Sequence, residues 1–323
     1  MTELADQLGA GDRRALAQAI TLVESTREDH RAEADELLAA VMPRTGTATR
    51  VGISGPPGVG KSTFIEALGL EVVHHDQRLA VLAVDPSSRR SGGSILGDKT
   101  RMADLAREEK AFIRPSPGGT HLGGVARHTR EAMLLCEAAG YDVVFIETIG
   151  VGQSEVAVAD MVDLFLLLVS PGGGDELQGI KRGIMELADL VVVNKADGDL
   201  AAAAGRTAAD YRNAVHLLRP KWRAWTTEVL TCSALQATGV DDVWRAIGRF
   251  ENAIRLSGEL AQLRGDQAKS WLWTELQEGL LDQLRADPDV RLLLARIEND
   301  VVGGAITPSA GASQVLDRFR TPR

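Results

Sequence analysis

Nine residues, Gly55-Pro56-Pro57-Gly58-Val59-Gly60-Lys61-Ser62-Thr63, space glycine, lysine and hydroxyl as G-x-x-x-x-G-K-[ST]. Glycines at 55, 58 and 60 have no Cβ to hold the backbone off, so N–H groups can close around phosphate oxygens. A helix opening at Lys61 adds the positive end of its dipole. Lys61 is placed to reach β- and γ-phosphates, and the Ser62 hydroxyl to sit on Mg²⁺. The chemistry is that of a nucleotide phosphate site rather than of a chance glycine-rich turn, because a β-branched run precedes the loop and a helical one follows it.

A second constellation reads a base. Asn194-Lys195-Ala196-Asp197 follows an apolar run, in the pattern N-K-x-D. A carboxylate at 197 accepts from both the ring N–H and the exocyclic amine of guanine, and adenine offers no such pair. Leaving that carboxylate unpaired would penalise ATP. Ser233-Ala234-Leu235 resembles the S-A-x segment whose backbone meets the guanine oxygen. Four letters alone are a weak match. The order of phosphate loop, N-K-x-D and S-A makes the set specific.

A third is acidic. Glu147-Thr148-Ile149-Gly150 stands where D-x-x-G closes a metal-binding strand in related nucleotide enzymes. Glu147 offers an oxygen donor for Mg²⁺, and the Gly150 N–H is placed to contact a γ-phosphate. Asp85, Asp98 and Asp175 are further acids for the same pocket. The position after Gly150, where Ras-like enzymes carry a water-orienting glutamine, is Val151; Gln153 is not equivalent by spacing. Slow intrinsic hydrolysis, accelerated by a partner that rearranges the site, is the expectation. Three glycine-rich stretches, 91–97, 116–124 and 171–182, are candidate switches or plain surface connections. His74, His75, His121 and His128 are not at metal-ligand spacing.

Positioning these groups requires a sheet. Continuous apolar runs at 48–54, 78–85, 111–114, 141–147, 164–169, 190–194 and 225–231 predict strands buried on both faces. That is an α/β fold, a P-loop nucleoside triphosphatase (NTPase) with a mostly parallel central sheet flanked by helices, plus helical N-terminal and C-terminal extensions. Asp85, Glu147 and Asn194 fall at carboxyl ends of strands, where such sheets gather function. Helical spacing predicts a helical extension over 1–45, broken at Gly9 to Gly11, that packs on the main domain or forms a partner-binding pair. Helices are predicted over 240–264, 268–285 and 288–298, with a last short one carrying Val315, Leu316 and Phe319. The division is 1–45 extension, 46–260 nucleotide domain and 261–323 helical arm.

The chain has 323 residues and a net charge of −9, which argues against nucleic-acid or anionic-membrane partners. Two distant cysteines, Cys136 and Cys232, are expected to pack rather than to bridge or bind zinc. Glu3 and Asp6 near the N-terminus do not fit a signal peptide, and the apolar run 164–169 is too short to span a bilayer. The expectation is a cytoplasmic protein.

The motifs GPPGVGKST, VDPSS, GGSILGDKTRM, RPSPGGTHLGG, ETIGVGQSE, PGGGDELQGIK and NKAD, in this order, resemble those of the MeaB/MMAA/ArgK family of methylmalonyl-CoA mutase-associated GTPases. The resemblance runs from about residue 45 to the C-terminus. It implies a homodimeric GTPase that gates cofactor loading and protects an adenosylcobalamin-dependent acyl-CoA mutase. It also implies that Lys61 and Ser62 contact phosphate and Mg²⁺, and that Asp85, Asp98 and Glu147 form the acidic metal and catalytic cluster. Asp197 with Ser233, Ala234 and Leu235 would hold guanine, and Lys181 would lie in a switch facing the mutase. The C-terminal helices would supply the dimer arm. Adenosylcobalamin is expected on the partner, because the D-x-H-x-x-G signature is absent from the sequence. Two other classes stand beside this one. A GTP-dependent metal-insertion chaperone would need ligand motifs that the sequence lacks, and a transport-associated kinase using ATP is opposed by Asn194 and Asp197.

Overall fold

The computed structural model describes residues 2–25, 27–84, 102–115, 122–148, 154–172 and 182–320. The chain forms two compact units, Met1–Arg264 and Gly265–Arg323. The first opens with α1 (Thr2–Gly9), α2 (Arg13–Val23) and α3 (Glu28–Val41). Asp12 starts α2, accepting from the N–H groups of Arg14 and Ala15 at 2.7 and 2.8 Å.

The sheet follows, with β1 (Thr49–Ser54), β2 (Leu79–Val84), β3 (Ala111–Pro115), β4 (Val143–Thr148), β5 (Leu164–Val169), β6 (Leu190–Val193) and β7 (Glu228–Thr231). Among the described residues these seven strands pair in the order β3-β2-β4-β1-β5-β6-β7, every pair parallel. β1, β4, β5 and β6 are buried along their whole length. That is why they read as unbroken apolar runs rather than alternating ones.

Helices α4 (Lys61–His74), α5 (Leu122–Ala138), α6 (Ser154–Ala159), α7 (Arg182–Leu187), α8 (Ala201–His216) and α9 (Val240–Leu256) flank the sheet. α4 and α9 share one face, where Val51, Ile53, Phe64, Leu68, Phe145, Leu166 and Phe250 form a continuous core. α2 and α3 lie against α5, and α6 against β1 and β4. The sheet edge opposite the phosphate loop is closed by buried ion pairs. Arg50 donates to Glu137 at 2.5 Å, and Arg264 holds Asp163 through two bonds of 2.7 and 2.9 Å. Asp163 in turn accepts from the Arg50 N–H at 2.9 Å.

The second unit packs α11 (Pro288–Val302) and α12 (Pro308–Arg320) around Val290, Ile297 and Val315. α11 starts at Asp287, which accepts from the N–H groups of Asp289 and Val290, with Pro288 in the first turn.

Three elements differ from the sequence expectation. The helix predicted over 240–264 is two, because Gly258 takes φ +78° and ends the run; α10 (Glu259–Ala286) begins directly after it. The last strand is shorter than 225–231. Trp225 Nε1 and Thr227 Oγ1 instead donate sideways to the carbonyls of Asp189 and Ala188, at 3.0 and 2.8 Å. The alanine run at 201–204, which gave no helical prediction, opens the sixteen-residue α8. Cys136 and Cys232 are free and buried, and burial pushes the Cys232 thiol up to about 12.

Candidate nucleotide site

Strand β1 lies between β4 and β5, so the chain leaves its carboxyl end at the point where strand order reverses, the crevice that binds ligands in such sheets. Register sets Ile53 beside Glu147 and Ser54 beside Leu167. The next pair of side chains, Ser54 and Thr148, joins β1 to β4 through a buried 2.9 Å bond from Thr148 Oγ1. Residues 55–60 form the loop, and α4 begins at Lys61. Gly60 has φ +92°, and a Cβ built there would stand 2.9 Å from Asn194 Nδ2. A side chain is excluded on both counts.

Lys61 folds over its own loop, donating to the carbonyls of Gly55 at 2.7 Å and Pro56 at 3.3 Å. Burial pulls its pKa down, and the charges of Glu147 and Glu155 oppose that pull. The ammonium therefore sits half-buried at the mouth of the loop, a fixed cation where phosphate oxygens would arrive. Ser62 Oγ lies 3.5 Å from Glu147 Oε1, and Glu147 is 4% exposed. A hydroxyl and a carboxylate at this separation are the hard oxygen donors that Mg²⁺ takes. Among the described residues no group of three or more histidine, cysteine or acidic side chains could hold a metal ion.

Downstream of β6, Asn194 is 2% exposed and bridges two loops. Its Nδ2 donates to the Val59 carbonyl at 2.9 Å, and its Oδ1 accepts from the Ala234 N–H at 3.0 Å. Lys195, at φ +59°, sends Nζ to the Gly58 carbonyl at 2.6 Å. The N-K-x-D segment thus grips the phosphate loop before any base is considered. Asp197 is half-buried, and its Oδ1 accepts from Ser233 Oγ at 2.6 Å. Ser233 is fully buried, and its backbone pairs with Thr238 in both directions, closing a short loop that leaves Leu235 80% exposed.

The fold therefore brings together Gly55 to Thr63, Glu147, Asn194, Lys195, Asp197, Ser233 and Ala234 at the carboxyl edge of one sheet. Asp85, Asp98, Gly150 and Lys181 lie outside the described residues, as do Val151, Gln153, Asp175, His121 and stretch 91–97. The sequence reading passed over Glu155, a carboxylate 1% exposed on α6. It stands in the sequence only as the last residue of the ETIGVGQSE motif, with no role assigned to it. The tie from Asn194 to Val59 was equally illegible, since N-K-x-D spacing says nothing of which side chain faces the loop.

Comparisons with known proteins agree with this geometry. Residues 16–289 match the family model described as methylmalonyl Co-A mutase-associated GTPase MeaB. A putative GTPase of Caulobacter vibrioides is 56% identical over 98% of this chain and 97% of that protein. The mitochondrial methylmalonic aciduria type A homolog of Mus musculus is 49% identical over 96% of this chain and 77% of that protein. The crystal structure of a LAO/AO transport system kinase superposes with a TM-score of 0.78 at 43% identity, covering 99% of this chain and 97% of that one.

Proposed function

This chain belongs to the MeaB family of methylmalonyl-CoA mutase-associated GTPases, and from that premise we propose that it is a chaperone of an adenosylcobalamin-dependent acyl-CoA mutase. It converts GTP to GDP and phosphate, and it gates cofactor loading and protects the mutase from inactivation. The observation that carries the nucleotide half is the double tie from Asn194 to Val59 and from Lys195 to Gly58. It ties the base-reading segment directly to the phosphate loop. The client half is supported by the family description and by the name of the mouse relative.

In this reading Lys61 and the backbone of residues 55–63 hold the β- and γ-phosphates. Asp197 accepts from guanine, with Asn194, Lys195 and the Ser233 to Leu235 loop framing it. Ser62 and Glu147 fit Mg²⁺ by their donor chemistry, with Asp85 and Asp98 as further acids. The ion, when bound, neutralises charge on the phosphate oxygens. Lys61 adds a preformed positive charge, half-buried where water screens it least. Gly150 contacts the γ-phosphate and Lys181 faces the mutase. Cobalamin stays on the partner.

A homodimer completes the proposal. On α10, Leu272, Trp273, Leu276, Leu280 and Leu281 are between 46 and 65% exposed, and the i, i+4 spacing of Leu272, Leu276 and Leu280 sets those three along one side of the helix. Such a stripe is covered in a stable protein, and a second copy of the arm would cover it. The proposed division is nucleotide domain 46–260 and arm 261–323, acting in the cytoplasm, with no nucleic-acid or membrane partner. No helix among the described residues is long and apolar enough to cross a membrane.

The test is GTP turnover by the purified protein, alone and with an adenosylcobalamin-dependent methylmalonyl-CoA mutase. Slow turnover that rises several-fold with the mutase supports the chaperone. Turnover indifferent to the mutase, with no complex on gel filtration, removes the client and leaves the GTPase.

A further inference from the structure

The last backbone pair of β1 with β4 is Ile53 with Glu147, although both strands run one residue further. Their outer pairings do reach the ends: Val84 of β2 stands beside Thr148, and Leu167 of β5 beside Ser54. β1 and β4 therefore part where the phosphate loop and the acidic segment leave the sheet. Across that gap Thr148 Oγ1 donates to Ser54 Oγ at 2.9 Å. Both residues are buried, Ser54 at 1% exposure and Thr148 at 0%. Strand alternation puts the pair on the face that carries α6, because a Cβ on Gly52, two residues before Ser54, would meet Val158 and Val162. Glu147 points to the opposite face, where Ser62 Oγ lies 3.5 Å from its Oε1. The hydroxyl pair thus stands directly behind the carboxylate assigned above to Mg²⁺.

We propose that Thr148 is a positioning residue that acts through Ser54: its hydroxyl holds the end of β4 against β1 and so keeps the Glu147 carboxylate beside the Ser62 hydroxyl for Mg²⁺. This rests on the nucleotide reading above. The two sides of the gap are held unequally. The phosphate loop keeps its ties to Asn194 and Lys195. It also lies close on β5 at Gly55, where a Cβ would stand 2.5 Å from the Leu168 carbonyl. The end of β4 stays with β2 through the pair of Val84 and Thr148. Loss of the hydroxyl bond therefore leaves the loop in place and lets Glu147 move away from it. Mg²⁺ responds steeply to such a shift, because it demands near-ideal oxygen geometry. Stability responds little when both hydroxyls go together, since two bonded partners can be exchanged for apolar groups of similar shape at almost no cost. A purely structural role would instead lower Tm and weaken every ligand alike.

The experiment uses the full chain and the fluorescent N-methylanthraniloyl derivative of the non-hydrolysable β,γ-imido analogue of GTP, titrated in EDTA and over a series of Mg²⁺ concentrations. Thr148→Val removes the bond, and so does Thr148→Val combined with Ser54→Ala. Each is expected to need about five-fold more Mg²⁺ for half of the Mg²⁺-induced tightening of nucleotide binding, the loss of one neutral hydrogen bond. Affinity in EDTA stays as in wild type, and the double variant loses no more than the single one. The double variant melts within about 2 °C of wild type. Thr148→Ser keeps the hydroxyl and restores the wild-type Mg²⁺ response. An unchanged Mg²⁺ midpoint in folded Thr148→Val overturns the proposal, as do equal losses in EDTA and in Mg²⁺, or a further loss added by Ser54→Ala. Wild-type affinity indifferent to Mg²⁺ takes the ion from the site and the proposal with it. Failure of both neutral variants to fold, with Thr148→Ser folded, assigns the bond to packing and also overturns it. Lys61→Ala separates the two levels. If that variant bound the analogue as wild type does, the nucleotide reading itself would fail, whatever Thr148 does.

Discussion

Asn194 Nδ2 donates to the Val59 carbonyl at 2.9 Å while Asn194 Oδ1 accepts from the Ala234 N–H at 3.0 Å. One buried amide therefore satisfies a carbonyl of the phosphate loop and an amide of the base loop. Asn194→Ala strands both groups, at about 1–3 kcal/mol each. The expected outcome is a fall in Tm of several degrees, and a loss of affinity for GDP and GTP by the same factor. Asn194→Asp keeps the acceptor for Ala234 but sets a buried carboxylate oxygen against the Val59 carbonyl, so it should cost at least as much as Asn194→Ala. Differential scanning calorimetry and nucleotide titration check this; a destabilised variant with unchanged affinity would uncouple the loops.

The same amide limits Gly60. Gly60→Ala meets φ +92° and Asn194 Nδ2 at 2.9 Å together. The backbone term alone is about 1–2 kcal/mol, and displacing Asn194 adds part of the cost above. GTP affinity should drop by more than about ten-fold, since the lost energy falls in the loop that binds phosphate. Isothermal titration of Gly60→Ala with GTP reads this directly, and wild-type affinity would show that the loop can rearrange at no cost.

The contact between the N-terminal helices and the sheet domain should be acid-sensitive. Glu131 on α5 takes Arg31 of α3 at 2.7 Å, with Arg127 at 3.2 Å and His128 at 3.8 Å on its own helix. Burial pushes the Glu131 carboxyl up, and the nearby His128 with the charges of Arg31 and Arg127 more than reverses it, leaving the group below the ordinary 4.5. A carboxyl whose folded pKa is depressed contributes stability above its unfolded pKa and loses it as pH falls through the folded one. The contribution is thus whole above about pH 4.5 and fades below it. Glu131→Gln should lower stability at pH 7 and flatten the acid limb of urea-unfolding free energy against pH. An unchanged acid limb would place the sensitivity elsewhere.

The strands were legible because burial on both faces writes itself as an unbroken apolar run, as at Leu164–Val169. The loop at 55–63 was legible because phosphate binding constrains residue type at fixed spacing. α8 was hidden by an alanine run whose high helix propensity carries no amphipathic stripe. The break at Gly258 was hidden because apolar spacing continues across it through Leu256, Leu260 and Leu263. Glu155 was hidden for another reason. Its place depends on which strand α6 crosses, and that is fixed by sheet order rather than by neighbours in sequence.

Asp197 decides the base. Ser233 Oγ anchors its Oδ1 at 2.6 Å, which orients the carboxylate and leaves Oδ2 as well as the second lone pair of Oδ1 for a ligand. Guanine presents two donors side by side, the ring N–H and the exocyclic amine. Asp197→Asn replaces one acceptor by a donor, so the amine of guanine meets an N–H. Xanthine carries a carbonyl in place of that amine and keeps the ring N–H, so it matches the amide. GTP affinity should fall by at least about 100-fold and xanthosine triphosphate should become the better ligand. Ser233→Ala removes only the anchor. It should cost GTP about three- to ten-fold, one hydrogen bond to a charged group, with guanine still preferred. Competition of GTP, ATP and xanthosine triphosphate on the three proteins distinguishes a reader of guanine from a carboxylate that merely caps a loop. If Asp197→Asn kept its preference for GTP, base recognition would have to lie outside this segment.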